Sequence, residues 1–121
     1  MKIEFVTSAG AAEVLAVLVH EGRVLSGMGP QLDTATSGAL TKAMTAGRFT
    51  GASNSTLTVA APAGVDAGAI LLSGAGEAGK FDDLALEAAA GAAYHAVKLS
   101  GATALTIDAH ALTADQAARA A

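Results

Sequence analysis

The stretch Ala69-Ile70-Leu71-Leu72-Ser73-Gly74-Ala75-Gly76-Glu77-Ala78-Gly79-Lys80 sets an apolar, strand-like run directly before a G-x-G-x-x-G string. Two readings compete. In one, the glycines let a pyrophosphate approach the backbone at a helix N-terminus, as in dinucleotide-binding domains. In the other, they only turn the chain from a strand into a helix. Three features favour the turn. The helical pattern begins at Asp82, past the last glycine, so its free N–H groups would not point into the loop, and Asp82 and Asp83 would oppose an anion there. The acid that would hold a ribose about 20 residues further on is missing, because Asp108 follows Gly79 by 29 positions. The preceding strand also arrives from a hairpin rather than opening a βαβ unit.

The hairpin follows from loop length. Thr56-Leu57-Thr58-Val59-Ala60 alternates as a half-buried strand does. A parallel crossover needs a dozen or more residues, and 61–68 offers too few. Strands 56–60 and 69–73 are therefore expected to pair antiparallel, giving an α/β domain with a mixed sheet.

Upstream, residues 2–7 alternate polar and apolar, whereas Glu13-Val14-Leu15-Ala16-Val17-Leu18-Val19-His20 is continuously apolar between its ends, the pattern of a central strand covered on both faces. Arg23-Val24-Leu25 adds a short edge piece. Leu32, Ala35, Ala39, Leu40, Ala43 and Met44 recur at three- and four-residue intervals, which predicts one amphipathic helix from Pro30 to Ala46, stopped by Gly47. Downstream, the spacing predicts a helix over 82–99 with Asp82 as N-cap. Glu87, Gly91, His95 and Lys98 form its polar stripe, and Leu84, Ala85, Ala88, Ala92 and Val97 are available for packing. A buried strand over 102–108 follows, then a helix capped by Thr113 that is still in mid-pattern at Ala121.

Bulk properties narrow the function. The 121 residues suit one domain, and with 52% hydrophobic but only 3% aromatic residues the core must be built from small aliphatic side chains with Phe5, Phe49 and Phe81 as fillers. A formal charge of −4 disfavours nucleic acid and anionic membranes. The absence of cysteine removes disulfides and thiolate chemistry, and with no signal-like start the chain reads as cytoplasmic. Val14 to Val19 is far too short to span a bilayer.

Catalytic candidates are sparse. Asp108-Ala109-His110 offers two metal ligands without a third, so both read as solvated loop residues. His20 and His95 read as surface or capped groups. Asp82, Asp83 and Glu87 could mimic an acid/base set, yet a helix dipole accounts for all three.

Gln31-Leu32-Asp33, Gly38-Ala39-Leu40, Arg48-Phe49-Thr50-Gly51, Thr56-Leu57 and Ile70-Leu71-Leu72-Ser73-Gly74-Ala75-Gly76, in this order and spacing, resemble the amino-terminal domain of the leucyl (cytosol) aminopeptidase family. The likeness runs from Met1 to about Asp108. It implies a macro-domain-like, three-layer α/β/α sandwich, the accessory domain of a metallo-aminopeptidase that removes N-terminal residues from peptides. In that family two divalent metal ions, zinc or manganese, are held by carboxylates and a lysine of a carboxy-terminal domain, around an Asn-Thr-Asp-Ala-Glu-Gly-Arg-Leu signature. This chain lacks that string. The resemblance thus implies that residues 1–121 are a single structural domain of a longer protein, with the catalytic domain, the peptide substrate and both metals outside it. Its implied partners are its own catalytic domain and the other copies of a homo-hexamer. No catalytic, cofactor-binding or metal-binding residue carries over. The chain departs from its relatives in two loops. Ala52-Ser53-Asn54-Ser55 stands where many have Lys-Gly, and Glu77 where many have Lys, with Lys80 three residues later. The alternative is a free-standing macro-like or dinucleotide-binding module that takes ADP-ribose or NAD on Gly74-Ala75-Gly76-Glu77-Ala78-Gly79. A small hydrolase using Asp108 and His110 is a third possibility.

Overall fold

The computed structural model describes residues 2–6, 11–60, 62–77 and 83–108. They form strands β1 (Lys2–Val6), β2 (Ala12–His20), β3 (Val24–Leu25), β4 (Thr56–Ala60), β5 (Ala67–Gly76) and β6 (Ala104–Asp108), with helices α1 (Gly29–Ala35), α2 (Ala39–Ala46) and α3 (Asp83–Ser100). The strand order is β1-β6-β2-β5-β4, with β3 on the end of β2. β2 pairs parallel with both β5 and β6, and β1 pairs parallel with β6. β4 pairs antiparallel with β5, and β3 with β2, so the sheet is mixed as expected.

The continuous apolar run of β2 is explained by its place. Residues 14–19 are all buried, because alternate side chains enter two different cores. Leu15, Val17 and Val19 join Ile70, Leu72, Met28, Leu32, Leu40, Met44 and Phe49 beneath α1 and α2. Val14 and Ala16 join Leu71, Leu105, Ile107, Ala93 and Val97 beneath α3. The domain is therefore an α/β/α sandwich of three layers.

Residues 30–46 form two helices instead of one. Ser37 and Gly38 adopt φ of 58° and 81°, a left-handed turn that glycine enters without steric cost. The Thr36 hydroxyl donates to the Leu32 carbonyl at 2.8 Å, and the Asp33 carboxylate accepts from the Thr41 N–H at 3.0 Å and the Thr41 hydroxyl at 2.6 Å. These side-chain bonds compensate the interrupted backbone ladder. Leu32, Leu40 and Met44 still reach one core, which is why the spacing reads as continuous.

Among the described side chains of α3 the buried ones are Ala89, Ala93 and Val97, one stripe at four-residue intervals. Their small size brings the helix close to β5, where the Ser73 hydroxyl donates to the Ala89 carbonyl at 2.8 Å. Glu87, Gly91, His95 and Lys98 face solvent as expected. Leu84 does not pack. At 100° per residue it lies roughly 140° round the helix from Ala89, and it is 74% exposed. The expected Asp82 cap, the Phe81 filler and the helix beyond Thr113 fall outside the described residues.

These two environments set opposite expectations for one substitution. Leu72→Ala, in a fully buried site, should cost about 2–5 kcal/mol in urea unfolding, whereas Leu84→Ala should stay within about 0.5 kcal/mol of the parent.

Candidate functional site

Open α/β sheets bind ligands in the crevice beyond the carboxyl ends of their parallel strands. Here those ends are Val6, His20, Gly76 and Asp108, brought to one edge of the sheet by β1, β2, β5 and β6.

The glycine string does not turn the chain at Ser73. β5 continues through Gly74 and Ala75 to Gly76, so the expected strand-to-helix turn begins later than the sequence suggests. What Gly74 provides is close approach. A Cβ built there would fall on the carbonyl oxygen of Ala52, and the Ser55 hydroxyl also stands near. With no side chain in the way, residues 50–55 lie against the strand end. The Gly74 N–H donates to the Ser55 carbonyl at 2.8 Å, and the Gly76 N–H donates to the Gly51 carbonyl at 2.9 Å. Two of the amides in the glycine string are thereby engaged.

The same loop is tied to β2. The Arg23 N–H donates to the Thr50 carbonyl at 3.1 Å and the Arg23 Nε–H to the Phe49 carbonyl at 3.0 Å. The Glu21 N–H donates to the Gly76 carbonyl at 2.9 Å, and His20 Nδ1 lies 3.2 Å from the same oxygen. Residues 49–55 thus form a latch that closes the carboxyl edge between β2 and β5. His20, expected as a surface or capped group, is a partly buried member of this network.

Asp108, read from the sequence as a solvated loop residue, is buried at 2% exposure. Its Oδ2 accepts the Met28 N–H at 2.7 Å, a bond spanning 80 positions that fastens the entrance of α1 to the end of β6. The bond supplies this buried side chain with a partner, as a buried polar group requires. His110, its proposed metal-binding companion, lies outside the described residues, as do Ala78, Gly79, Lys80 and Asp82. His95 is exposed on α3, and Glu87 lies on the same exposed stripe. Among the described residues, no group of three or more His, Cys, Asp or Glu side chains could hold a metal ion.

A cavity of about 300 Å³ opens between α1 and the start of β5, lined by Leu15, Met28, Leu32, Val65 and Asp66 among others. It is mostly apolar and includes no residue of the latch. The sequence analysis missed the latch itself. Its signal is the unbroken set of small residues Gly51-Ala52-Ser53-Asn54-Ser55, which allows a loop to lie flat on a strand end.

The fold and this edge define an α/β/α domain in which Gly74 and Gly76 of the glycine string bond to the chain's own backbone. The chain matches the Cytosol aminopeptidase family, N-terminal domain, over residues 16–121, and it belongs to that family. It is 46% identical over 124 aligned positions to a probable cytosol aminopeptidase of Caulobacter vibrioides, covering 100% of this chain and 25% of that protein. Probable cytosol aminopeptidases of Cupriavidus pinatubonensis and Paraburkholderia xenovorans are 36% and 34% identical, over 78% and 73% of this chain and 19% and 17% of theirs. The chain spans about a quarter or less of the length of these relatives.

Gly74→Ala should destabilise the domain by about 1–3 kcal/mol or more, since the latch must shift to admit the methyl group. Titration calorimetry of the parent with ADP-ribose and with NAD should give no saturable heat. Micromolar binding abolished by Gly76→Asp would revive the ligand-binding alternative.

Proposed function

We propose that residues 1–121 are one structural domain of a longer cytosol aminopeptidase, and that this domain is not itself catalytic. It packs against its own catalytic domain and contributes to a homo-hexamer. The intact protein is a cytoplasmic metallo-exopeptidase that releases N-terminal residues from peptides. Its two divalent metal ions, zinc or manganese, and the peptide substrate are held by the catalytic domain.

The observation that carries the reading is the latch. In this fold reactive groups and ligands gather at the carboxyl edge of the sheet. Here that edge has the Gly74 and Gly76 amides bonded to loop carbonyls and the Asp108 carboxylate bonded to the Met28 amide. A nucleophile–base pair or metal set needs groups left to face a substrate. The family match and the fraction of each relative that the chain spans support assignment to an accessory domain. No helix among the described residues is long and apolar enough to cross a membrane, in keeping with the name of the family.

Two measurements test the proposal. The 121-residue chain should show no hydrolysis of leucine p-nitroanilide with added zinc or manganese, while the intact parent protein hydrolyses it and sediments as a hexamer. Metal-dependent turnover by the chain, lost in His110→Ala, would restore the hydrolase reading. An intact parent that stayed a monomer would remove the assembly role.

A further inference from the structure

β4 is the last strand on one side of the sheet, and among the described residues no strand pairs with its outer side. Proteins commonly guard such a strand with a charge, a proline or a bulge, because its free N–H and C=O groups are a template for another strand. β4 has none of these. Thr56-Leu57-Thr58-Val59-Ala60 follows β5 in unbroken register, and no charged residue occurs from Phe49 to Val65 in a chain of net charge −4.

The bond from the Gly74 N–H to the Ser55 carbonyl fixes which backbone groups face outward. It makes Ser55 and Gly74 a directly bonded pair. By the alternation of antiparallel ladders, Leu57 and Val59 then bond to β5, and the N–H and C=O groups of Thr56, Thr58 and Ala60 point away from the sheet. These three residues are exposed. Leu57 and Val59 are only partly buried, against the core beneath α1 and α2.

We propose that β4 pairs antiparallel with β4 of a second copy, with the twofold axis at Thr58. Three features select this occupant. Pairing about Thr58 sets Thr56 opposite Ala60 and Thr58 opposite its own copy, so the outward N–H and C=O groups of each strand meet their complements. A slip of one residue would instead set outward groups against inward ones. The same register places Leu57 opposite Val59, where each covers area that the other leaves exposed, and joins two threonines on the opposite face, a favourable cross-strand pair. Like charges are the usual obstacle to joining identical surfaces, and residues 49–65 bring none to the axis. Such an interface closes at two copies. It is a property of the chain itself and does not depend on the activity or size of the intact protein.

Sedimentation equilibrium of the 121-residue chain over roughly 10 µM to 1 mM, a range suited to small interfaces, should show monomers in equilibrium with dimers. Thr58→Lys and Thr58→Glu each put like charges on the axis and should each weaken dimerisation at least tenfold. An equal mixture of the two variants should restore it to within threefold of the parent, with unchanged urea transitions showing that both fold. Cysteine is absent from the chain, so Thr56→Cys, Thr58→Cys and Ala60→Cys, made singly, report the register. Under mild oxidation Thr58→Cys should form the intermolecular disulfide at least tenfold faster than the other two, whose like positions would lie about 14 Å apart. A chain that stays monomeric, dimerisation unchanged by Thr58→Lys, a mixture as weak as either charged variant, or equal cross-linking at all three positions would each overturn the pairing.

Discussion

Burial of β2 on both faces is the constraint from which the architecture follows. Residues 14–19 include no polar side chain, and all are buried, so the strand cannot lie at an edge or on a two-layer sheet. Each large aliphatic residue kept from water contributes about 1.5–3 kcal/mol. Exposing either face would therefore remove several such terms from a domain whose net stability is about 5–15 kcal/mol. β2 accordingly takes parallel neighbours on both sides, β5 and β6. Parallel pairing imposes long crossovers, and the crossovers supply the covering helices. α1 and α2 cover one core and α3 the other. β4 then closes the far edge as the antiparallel partner of β5, with alternate residues exposed.

The glycine string shows how a local motif and its chemistry can separate. G-x-G-x-x-G binds phosphate only if its amides face an open crevice at a helix start. In this chain the Gly74 and Gly76 amides bond to carbonyls of residues 51–55 instead, and a Cβ at Gly74 would fall on the Ala52 carbonyl oxygen. The requirement for glycine is the same in both cases: backbone must approach backbone without an intervening side chain. The approaching group differs, and nothing within the string specifies it.

Much of the framework was legible because it rests on local periodicity and loop length. The central place of β2 followed from its unbroken apolar run, and the antiparallel β4–β5 hairpin from the shortness of residues 61–68. The polar stripe Glu87, Gly91, His95 and Lys98 also lies where a 3.6-residue period puts it. The departures have long-range causes. Asp108 is buried by a bond to Met28, 80 positions away. β5 runs past Ser73 because residues 51–55 cover its end. The break at Ser37 and Gly38 escaped notice for a different reason. The apolar residues on either side share one core, so the hydrophobic pattern carries no trace of the turn. At the site, residue types identified Gly74, Gly76, His20 and Asp108 as notable, but their partners, which decide their roles, come from elsewhere in the chain.

The domain spends its polar groups on itself. Asp33 caps Thr41, Asp108 holds Met28, Ser73 holds Ala89, and Arg23 holds Phe49. Each bond contributes about 0.5–1.5 kcal/mol, more where a charge takes part. Each also removes a group that could otherwise act on a substrate. What the described residues leave facing outward is chiefly shape and apolar area, concentrated where Ile3 and Tyr94 border a groove beside α3. Exposed apolar area of this kind, where it is contiguous, is the usual mark of a contact surface. Among the described residues the polar end of β2 and β5 is bonded to the chain's own loop, whereas the apolar face of β1 and β6 beside α3 is only partly covered.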